Sequence, residues 1–131
     1  MSSWQTIIDS PGQLTTTDGT KTNIIANAIE YPDCVGMLDI KVAARRVSDG
    51  LMKMFEGSAC YSSIGGVAEI CGINDMRVMG TPEELAAFPD VQVAVEIQGS
   101  NFCIAVTGQA TEEFDWAALA RGFNTNHVVE E

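Results

Sequence analysis

Alternating apolar and polar residues dominate one stretch near the end of the chain, residues 91–108. Two runs there alternate with a period of two, and Gly99-Ser100 between them suits a type II′ hairpin turn. That turn predicts a register with one continuously apolar face, pairing Ile97 with Phe102, Val95 with Ile104 and Val93 with Val106. On the other face Ala94 lies opposite Ala105, which indicates close packing there too. A lone hairpin is marginally stable, so we expect a larger sheet.

Shorter apolar runs predict three more strands. Residues 22–29 follow Asp18-Gly19, a common hairpin turn, which favours a strand over a helix at that point. Residues 67–71 and 76–79 are two further short runs with strand character, whereas residues 58–63 have the composition of a loop.

Helical spacing of apolar residues predicts an N-terminal, an internal and a C-terminal helix. Residues 2–9 place Trp4, Ile7 and Ile8 on one helical face. Residues 39–55 have a one-sided helical pattern formed by Ile40, Ala43, Ala44, Val47, Leu51, Met54 and Phe55. Residues 111–122 predict a final helix, with Thr111 as its cap and Arg121-Gly122 at its end.

A capping box predicts a fourth, short helix. Thr81 supplies the cap, Pro82 occupies the first helical position and Glu84 completes the box three residues after the cap. Pro89 is expected to close this helix because proline cannot continue the hydrogen-bond ladder.

The length and composition predict one globular domain spanning residues 1–131. Apolar residues make up 46% of the chain and charged residues 19%, which are the proportions of a packed protein. No apolar run approaches the length of a membrane span and no signal peptide is evident, so we expect a cytosolic protein. The four cysteines lack metal-site spacing and are expected to be buried thiols.

Acidic residues strongly outnumber basic ones, with a net charge of −11 from 18 acids and 7 bases. This balance argues against binding to nucleic acid or anionic lipid, which both require clustered Lys and Arg. It permits a basic protein surface as a partner. Solubility alone is an equally good explanation of the charge.

The search for catalytic residues is negative. His127 is the only histidine and lies near the C-terminus, so a Ser-His or Cys-His pair would depend on the chain end. No P-loop, nucleophile elbow, dinucleotide fingerprint or zinc-binding spacing is present. We therefore expect a binding protein with no cofactor and no metal rather than an enzyme. An enzyme with a shallow, unrecognised site is the weaker alternative.

The predicted order of elements resembles that of the profilin family. Three stretches carry the resemblance: the start MSSWQTIID, the segment GLMKMFEG with Ile64-Gly65-Gly66 and DMRVMG after it, and the hairpin followed directly by a helix. Profilins bind actin monomers and proline-rich proteins and have no catalytic activity. The resemblance implies an α+β domain with a central antiparallel sheet, the two terminal helices on one face and the internal helices on the other.

The resemblance also implies partners and site residues. It implies a cytoplasmic, cytoskeleton-associated monomer that regulates actin polymerisation, without insertion into membranes. Actin would be contacted by the basic residues Lys53, Arg77 and Arg121, and proline-rich ligands would bind a groove formed by Trp4, Ile7 and Phe123.

Two departures from the family pattern change what is expected. Ile7 stands where profilins usually have an aromatic residue, which predicts weakened binding of proline-rich ligands. The acidic segment Thr81–Asp90 replaces a Gly- and Lys-rich turn, which argues against phosphoinositide binding. The alternative is an acidic protein-interaction or inhibitor module of profilin fold that does not bind actin.

Overall fold

Antiparallel strands make up most of the structure, a computed structural model that describes residues 2–29, 31–73 and 76–128. The chain is 69% strand and 5% helix, so the predicted α+β class is wrong. In chain order the elements are β1 (Ser2–Thr16), β2 (Lys21–Ala28), β3 (Cys34–Arg46), β4 (Met52–Ile64), β5 (Val67–Ile73), β6 (Arg77–Met79), α1 (Pro82–Ala87), β7 (Gln92–Gln98), β8 (Asn101–Thr107) and β9 (Phe114–Val128).

The strands form two sheets. The large sheet has the order β1-β9-β3-β4-β5, with β6 also paired to β4, and the small sheet has the order β2-β8-β7. The last strand of the chain therefore lies between β1 and β3, and it is antiparallel to both. No helix among the described residues is long and apolar enough to cross a membrane.

Strands replace the three long helices that the sequence predicted. Residues 2–9 belong to β1, residues 111–122 lie mostly in β9, and residues 39–55 cover parts of β3 and β4. Gly50, which would lie in the interior of the predicted helix of residues 39–55, instead lies at the turn between β3 and β4 with φ of 78°. The predicted loop at residues 58–63 is also wrong, because β4 continues through it.

Small residues explain the wrong helical interpretation. In β3 every even-numbered residue from Cys34 to Ala44 is buried, which is a period of two. Ala43 on the outward side and the alanines of β9 blur this alternation, because alanine suits either face and has the highest helix propensity. Pairing of each strand with two neighbours outweighs that local preference.

The hairpin, the shorter strands and the short helix were predicted correctly. Ile97 pairs with Phe102 and Val95 with Ile104, and Gly99 in the turn has φ of 63°. Strands β2, β5 and β6 lie where the short apolar runs predicted them. Helix α1 begins after Thr81, whose side chain accepts a hydrogen bond from the Glu84 backbone amide, and both halves of the capping box are present.

The core lies between the two sheets. Buried side chains of β3, β4 and β9 in the large sheet pack against those of β8 and β2 in the small sheet. The rings of Tyr61 and Phe102, one from each sheet, have centroids 5.3 Å apart. At the other end of the core Phe88, which follows α1, is fully buried, and its ring meets Phe114 edge-on at 5.1 Å.

Polar side chains cover the side of the small sheet that faces away from the core. Cys103 and Ala105 in the central strand β8 are only 1% exposed there. They lie beneath a hydrogen-bonded series of side chains with donor–acceptor distances from 2.5 to 3.1 Å, formed by Lys21, Glu96, Gln98 and Asn23. The close packing that the small residues of this face indicated is therefore supplied by the chain itself.

A glycine in β3 determines where the Tyr61 ring can lie. A Cβ built on Gly36 would overlap with the ring of Tyr61 and lie 2.5 Å from its hydroxyl oxygen. Because this space is free, the Tyr61 hydroxyl reaches across β3 and accepts a hydrogen bond of 2.9 Å from Asn124 Nδ2 in β9. Burial raises the pKa of the Tyr61 hydroxyl, which keeps it neutral.

Gly36→Ala is expected to destabilise the protein. The added methyl group displaces the Tyr61 ring and breaks its hydrogen bond to Asn124, with a cost of about 1–3 kcal/mol in the free energy of unfolding. Urea denaturation followed by circular dichroism measures this. Gly19→Ala is the control, because a Cβ at Gly19 has no neighbour closer than 3.8 Å. Equal stability of the two variants would contradict the packing described for Tyr61.

Candidate interaction surface

The side of the large sheet that faces away from the core is not covered by any other described element. We call it the outer face. Alternation along the strands places on it the odd-numbered residues of β1, β3 and β9 and the even-numbered residues of β4. Residues that are neighbours in register form rows that run across the strands, and these rows differ in chemistry.

One row is apolar and exposed. Ile7 pairs with Phe123, Phe123 pairs with Met37, and Met37 pairs with Cys60. Ile7 is 73% exposed and Met37 is 52% exposed. Val35, also 52% exposed, extends the apolar area along β3. We call Ile7, Phe123 and Met37, together with the adjacent Val35, the apolar row.

The next row on the outer face is charged. Arg121 in β9 lies between Asp9 of β1 and Asp39 of β3, and its Nε donates to Asp9 Oδ1 at 3.2 Å. Asp39 Oδ1 accepts a hydrogen bond of 2.9 Å from the Ser58 hydroxyl. Both charged partners of the ion pair are more than half exposed, so it adds little to stability. These charges remain available to a partner.

A shallow apolar hollow lies further along the outer face. It has a volume of about 280 Å³. Its floor is formed by the short side chains of Ala43 and Ala117, which pair in neighbouring strands. Met54, Met79 and Leu119 line its sides. Methionine side chains are flexible and adapt to a partner surface, so this hollow can accommodate an inserted side chain.

Basic residues are concentrated on the outer face. Four of the seven bases of the chain project from it, namely Lys41, Arg45, Arg77 and Arg121. The acids that pair with or neighbour them in register are Asp9, Asp39, Glu56, Glu69 and Asp115. The outer face is therefore close to neutral, although the whole chain has a net charge of −11.

Two of the three residues predicted for a proline-binding groove come together in the structure. Ile7 and Phe123 are cross-strand neighbours on the outer face, although no terminal helices form a groove around them. Trp4 lies in β1 opposite Asn126, and the position of its side chain is outside the described part of the structure. The residues that sequence reasoning missed are Val35 and Met37, which precede the predicted helix of residues 39–55 and were assigned to no element.

The three bases predicted to contact actin do not form one surface. Arg77 and Arg121 project from the outer face on different strands. Lys53 points into the core and is 9% exposed, with its ammonium group donating to the backbone oxygens of Phe88 at 2.8 Å and Val91 at 2.9 Å. It therefore joins β4 to the segment that follows α1. Burial lowers the pKa of the Lys53 ammonium group.

A second concave feature opens between β1 and β2. This cavity of about 400 Å³ reaches Tyr61, Phe102 and Asn124 in the core. Asn124 Oδ1 is buried and has no hydrogen-bond partner among the described residues, and an ordered water could satisfy it. The described residues contain no group of three or more His, Cys, Asp or Glu side chains able to hold a metal ion.

Comparison with known proteins does not support profilin. No family model and no curated protein matches the chain. Two solved structures have similar backbones: the tailspike protein of Acinetobacter phage vB_ApiP_P1 (TM-score 0.49, 16% identity, 90% of this chain covered) and that of Acinetobacter baumannii phage AM24 (TM-score 0.47, 9% identity, 89% covered). This chain spans 22% and 26% of their respective lengths. The predicted membership of the profilin family is wrong: the structure is 69% strand with one short helix, and no family model or curated protein supports that family.

Charge reversal at Lys53 is expected to unfold or strongly destabilise the protein, whereas charge reversal at Arg77 is not. Lys53→Glu places a buried carboxylate against two carbonyl oxygens, with a cost of about 3 kcal/mol or more. Arg77→Glu changes an exposed side chain, with an effect within about 0.5 kcal/mol. Thermal denaturation of both variants provides the measurement. A stable Lys53→Glu variant would contradict the buried position of this ammonium group.

The lowered pKa of Lys53 also predicts a pH dependence of stability. Between the folded-state pKa and the ordinary value of 10.5, the unfolded chain binds more protons than the folded chain, so stability contributed by this group rises with pH in that window. Lys53→Met lacks the titrating group and should lose this rise. Urea denaturation of both proteins across the alkaline range measures the difference. An identical pH profile for Lys53→Met would contradict the assignment.

Proposed function

We propose that this protein is an acidic β-structured interaction module that associates with a second copy of itself through the outer face of the large sheet. The observation that carries the proposal is the exposed apolar row. In this row Ile7, Phe123 and Met37 are neighbours on three adjacent strands, and the charged row of Asp9, Arg121 and Asp39 lies directly beside them. Apolar residues bordered by charged and polar residues are the usual composition of a protein–protein interface.

The size of the outer face supports this proposal. Strands β1 and β9 have 15 residues, β3 and β4 have 13, and β5 has 7. At ~4.8 Å between strands and ~3.3 Å per residue, they give a face of roughly 1,000 Å². A standard interface buries about 800 Å² on each partner. A sheet-on-sheet contact between two copies therefore needs no surface beyond the outer face.

The charge distribution supports a second copy as the partner. Two chains that each have a net charge of −11 repel one another over most of their surfaces. On the nearly neutral outer face that repulsion is weak. A two-fold axis there can place Arg121 of one copy against Asp39 or Asp9 of the other, which fits the self-complementarity that a two-fold interface requires.

The contrast between the two sheets supports the choice of surface. The small sheet closes its side away from the core with the hydrogen-bonded side chains of Lys21, Glu96, Gln98 and Asn23. On the large sheet, the residues that the structure describes form no such cover over Ile7, Val35 and Met37. Exposed apolar side chains that are contiguous across strands mark an interaction site more often than isolated ones do.

Self-association is expected to disappear when a charge is placed in the apolar row. Sedimentation velocity of the wild-type protein, from low micromolar to near-millimolar concentration, should show a mass rising from 14.0 kDa toward twice that value. Met37→Glu buries an unpaired carboxylate in the interface and repels the partner copy. We expect it to weaken association by a factor of about 100 or more.

Ala26→Glu is the matched control for Met37→Glu. It adds the same charge to an exposed strand residue, but on the small sheet, opposite Cys103. It should associate like the wild-type protein. A wild-type protein that stays monomeric at every concentration, or a Met37→Glu variant that associates normally, would overturn the proposal.

Actin-monomer binding stays a prediction that rested on the profilin resemblance and has no support from this fold. A pull-down with actin monomers tests it for the wild-type protein and for Arg121→Glu, the predicted contact that is both exposed and outward-facing. Binding by the wild-type protein, reduced in the variant, would favour actin as the partner of the outer face. Titration with an oligoproline, using Phe123→Ala as the comparison, tests the proline-rich ligand in the same way.

A further inference from the structure

Two of the four cysteines are neighbours on the outer face. Cys60 in β4 and Cys71 in β5 have sulfur atoms 2.9 Å apart. The register of the two strands shifts at this point, between Cys60 and Tyr61, and the shift places Cys71 beside Cys60. Cys34 and Cys103 are buried in other parts of the structure.

The position of the pair makes it accessible to solutes. Cys71 is exposed and Cys60 is half-buried, so a small molecule reaches Cys71 first. The hairpin that joins the two strands is already closed by Gly65 and Gly66, which have φ of 60° and 84°. The two sulfur atoms therefore need little backbone movement to react with one another, because the strand pairing has already brought them together.

We propose that Cys60 and Cys71 form an oxidisable dithiol, which a small-molecule disulfide converts into a disulfide bond between β4 and β5. The Cys71 thiolate attacks one sulfur of the small disulfide, forms a mixed disulfide and releases one small thiol. The Cys60 thiolate then attacks the Cys71 sulfur, forms the protein disulfide and releases the second small thiol. Two protein thiols are oxidised, the small disulfide is reduced to two thiols, and the protons of the protein thiols pass to these products.

The consequence is a covalent link at the far end of the large sheet. The disulfide closes a loop from residue 60 to residue 71 and holds β5 against β4, where the ladder is irregular. Cross-linking a loop of this length reduces the entropy of the unfolded chain and is expected to raise the melting temperature by about 5 °C or more. The pKa of Cys71 is raised by its hydrogen bond to Cys60, so the reaction should accelerate with increasing pH.

The test uses the 131-residue protein and oxidised glutathione. After incubation at mildly alkaline pH, the intact mass should fall by two hydrogens without a retained glutathione adduct. Cleavage after Glu69 separates the two cysteines, so Cys60 and Cys71 should appear in two peptides joined only by the disulfide. Melting curves of the oxidised and reduced protein measure the stabilisation.

Cysteine variants provide the matched controls. Cys60→Ser should retain glutathione on Cys71 because no second thiol resolves the mixed disulfide. Cys103→Ser removes a buried thiol elsewhere and should form the Cys60–Cys71 disulfide like the wild-type protein. Peptide mapping of the wild-type protein decides the question even if a variant does not fold. A stable mixed disulfide in the wild-type protein, a disulfide that involves Cys34 or Cys103, or no oxidation at all would overturn the proposal.

Discussion

The whole large sheet depends on the insertion of the last strand between the first strand and the third. Strand β9 pairs with β1 over 15 residues and with β3 over 13. In the ladder between β1 and β9, the paired residues that are nearest in sequence are Thr16 and Phe114. Trp116 reinforces the connection through its indole N–H, which donates to the Thr16 hydroxyl at 2.9 Å. Without β9 the strand β1 has no partner in its sheet. Because such contacts join distant parts of the chain, the fold needs nearly the full length before its centre can form.

Small residues in β9 allow the neighbouring strand and the small sheet to approach it closely. Its inward-facing residues change from Phe114 and Trp116 at one end to Ala118, Ala120 and Gly122 in the middle, where a Cβ at Gly122 would overlap with the Met37 carbonyl oxygen. At one end of the core, the Phe114 and Trp116 side chains of β9 fill the space. In the middle of the core, side chains of the small sheet and the Tyr61 ring fill it instead. Asn124, at the end of this series, provides the hydrogen bond that holds Tyr61.

The two outer surfaces of the structure differ in what their side chains do. On the small sheet, polar side chains bond to one another and shield Cys103 and Ala105. On the large sheet, the charged row pairs only partly, and the apolar row next to it remains exposed. The proposed self-association and the proposed oxidation of Cys60 and Cys71 both concern this second surface. They adjoin one another, because Met37 in the apolar row pairs with Cys60. They are tested independently, since one depends on side chains of β1, β3 and β9 and the other on the ladder between β4 and β5.

Local signals alone determined the hairpin of β7 and β8, the cap of α1 and the short strands, because turn chemistry and strict alternation act within a few residues. Strands β3 and β9 have alanine on both faces and β1 has threonine on both faces, so their local pattern is compatible with helix or strand. Only the tertiary structure decided between them, since each strand is stabilised by neighbours distant in sequence. The same pairing decided that Lys53 is buried, that Ile7 meets Phe123 and that Cys60 meets Cys71. No spacing along the chain encodes these contacts, because they depend on which strands become neighbours.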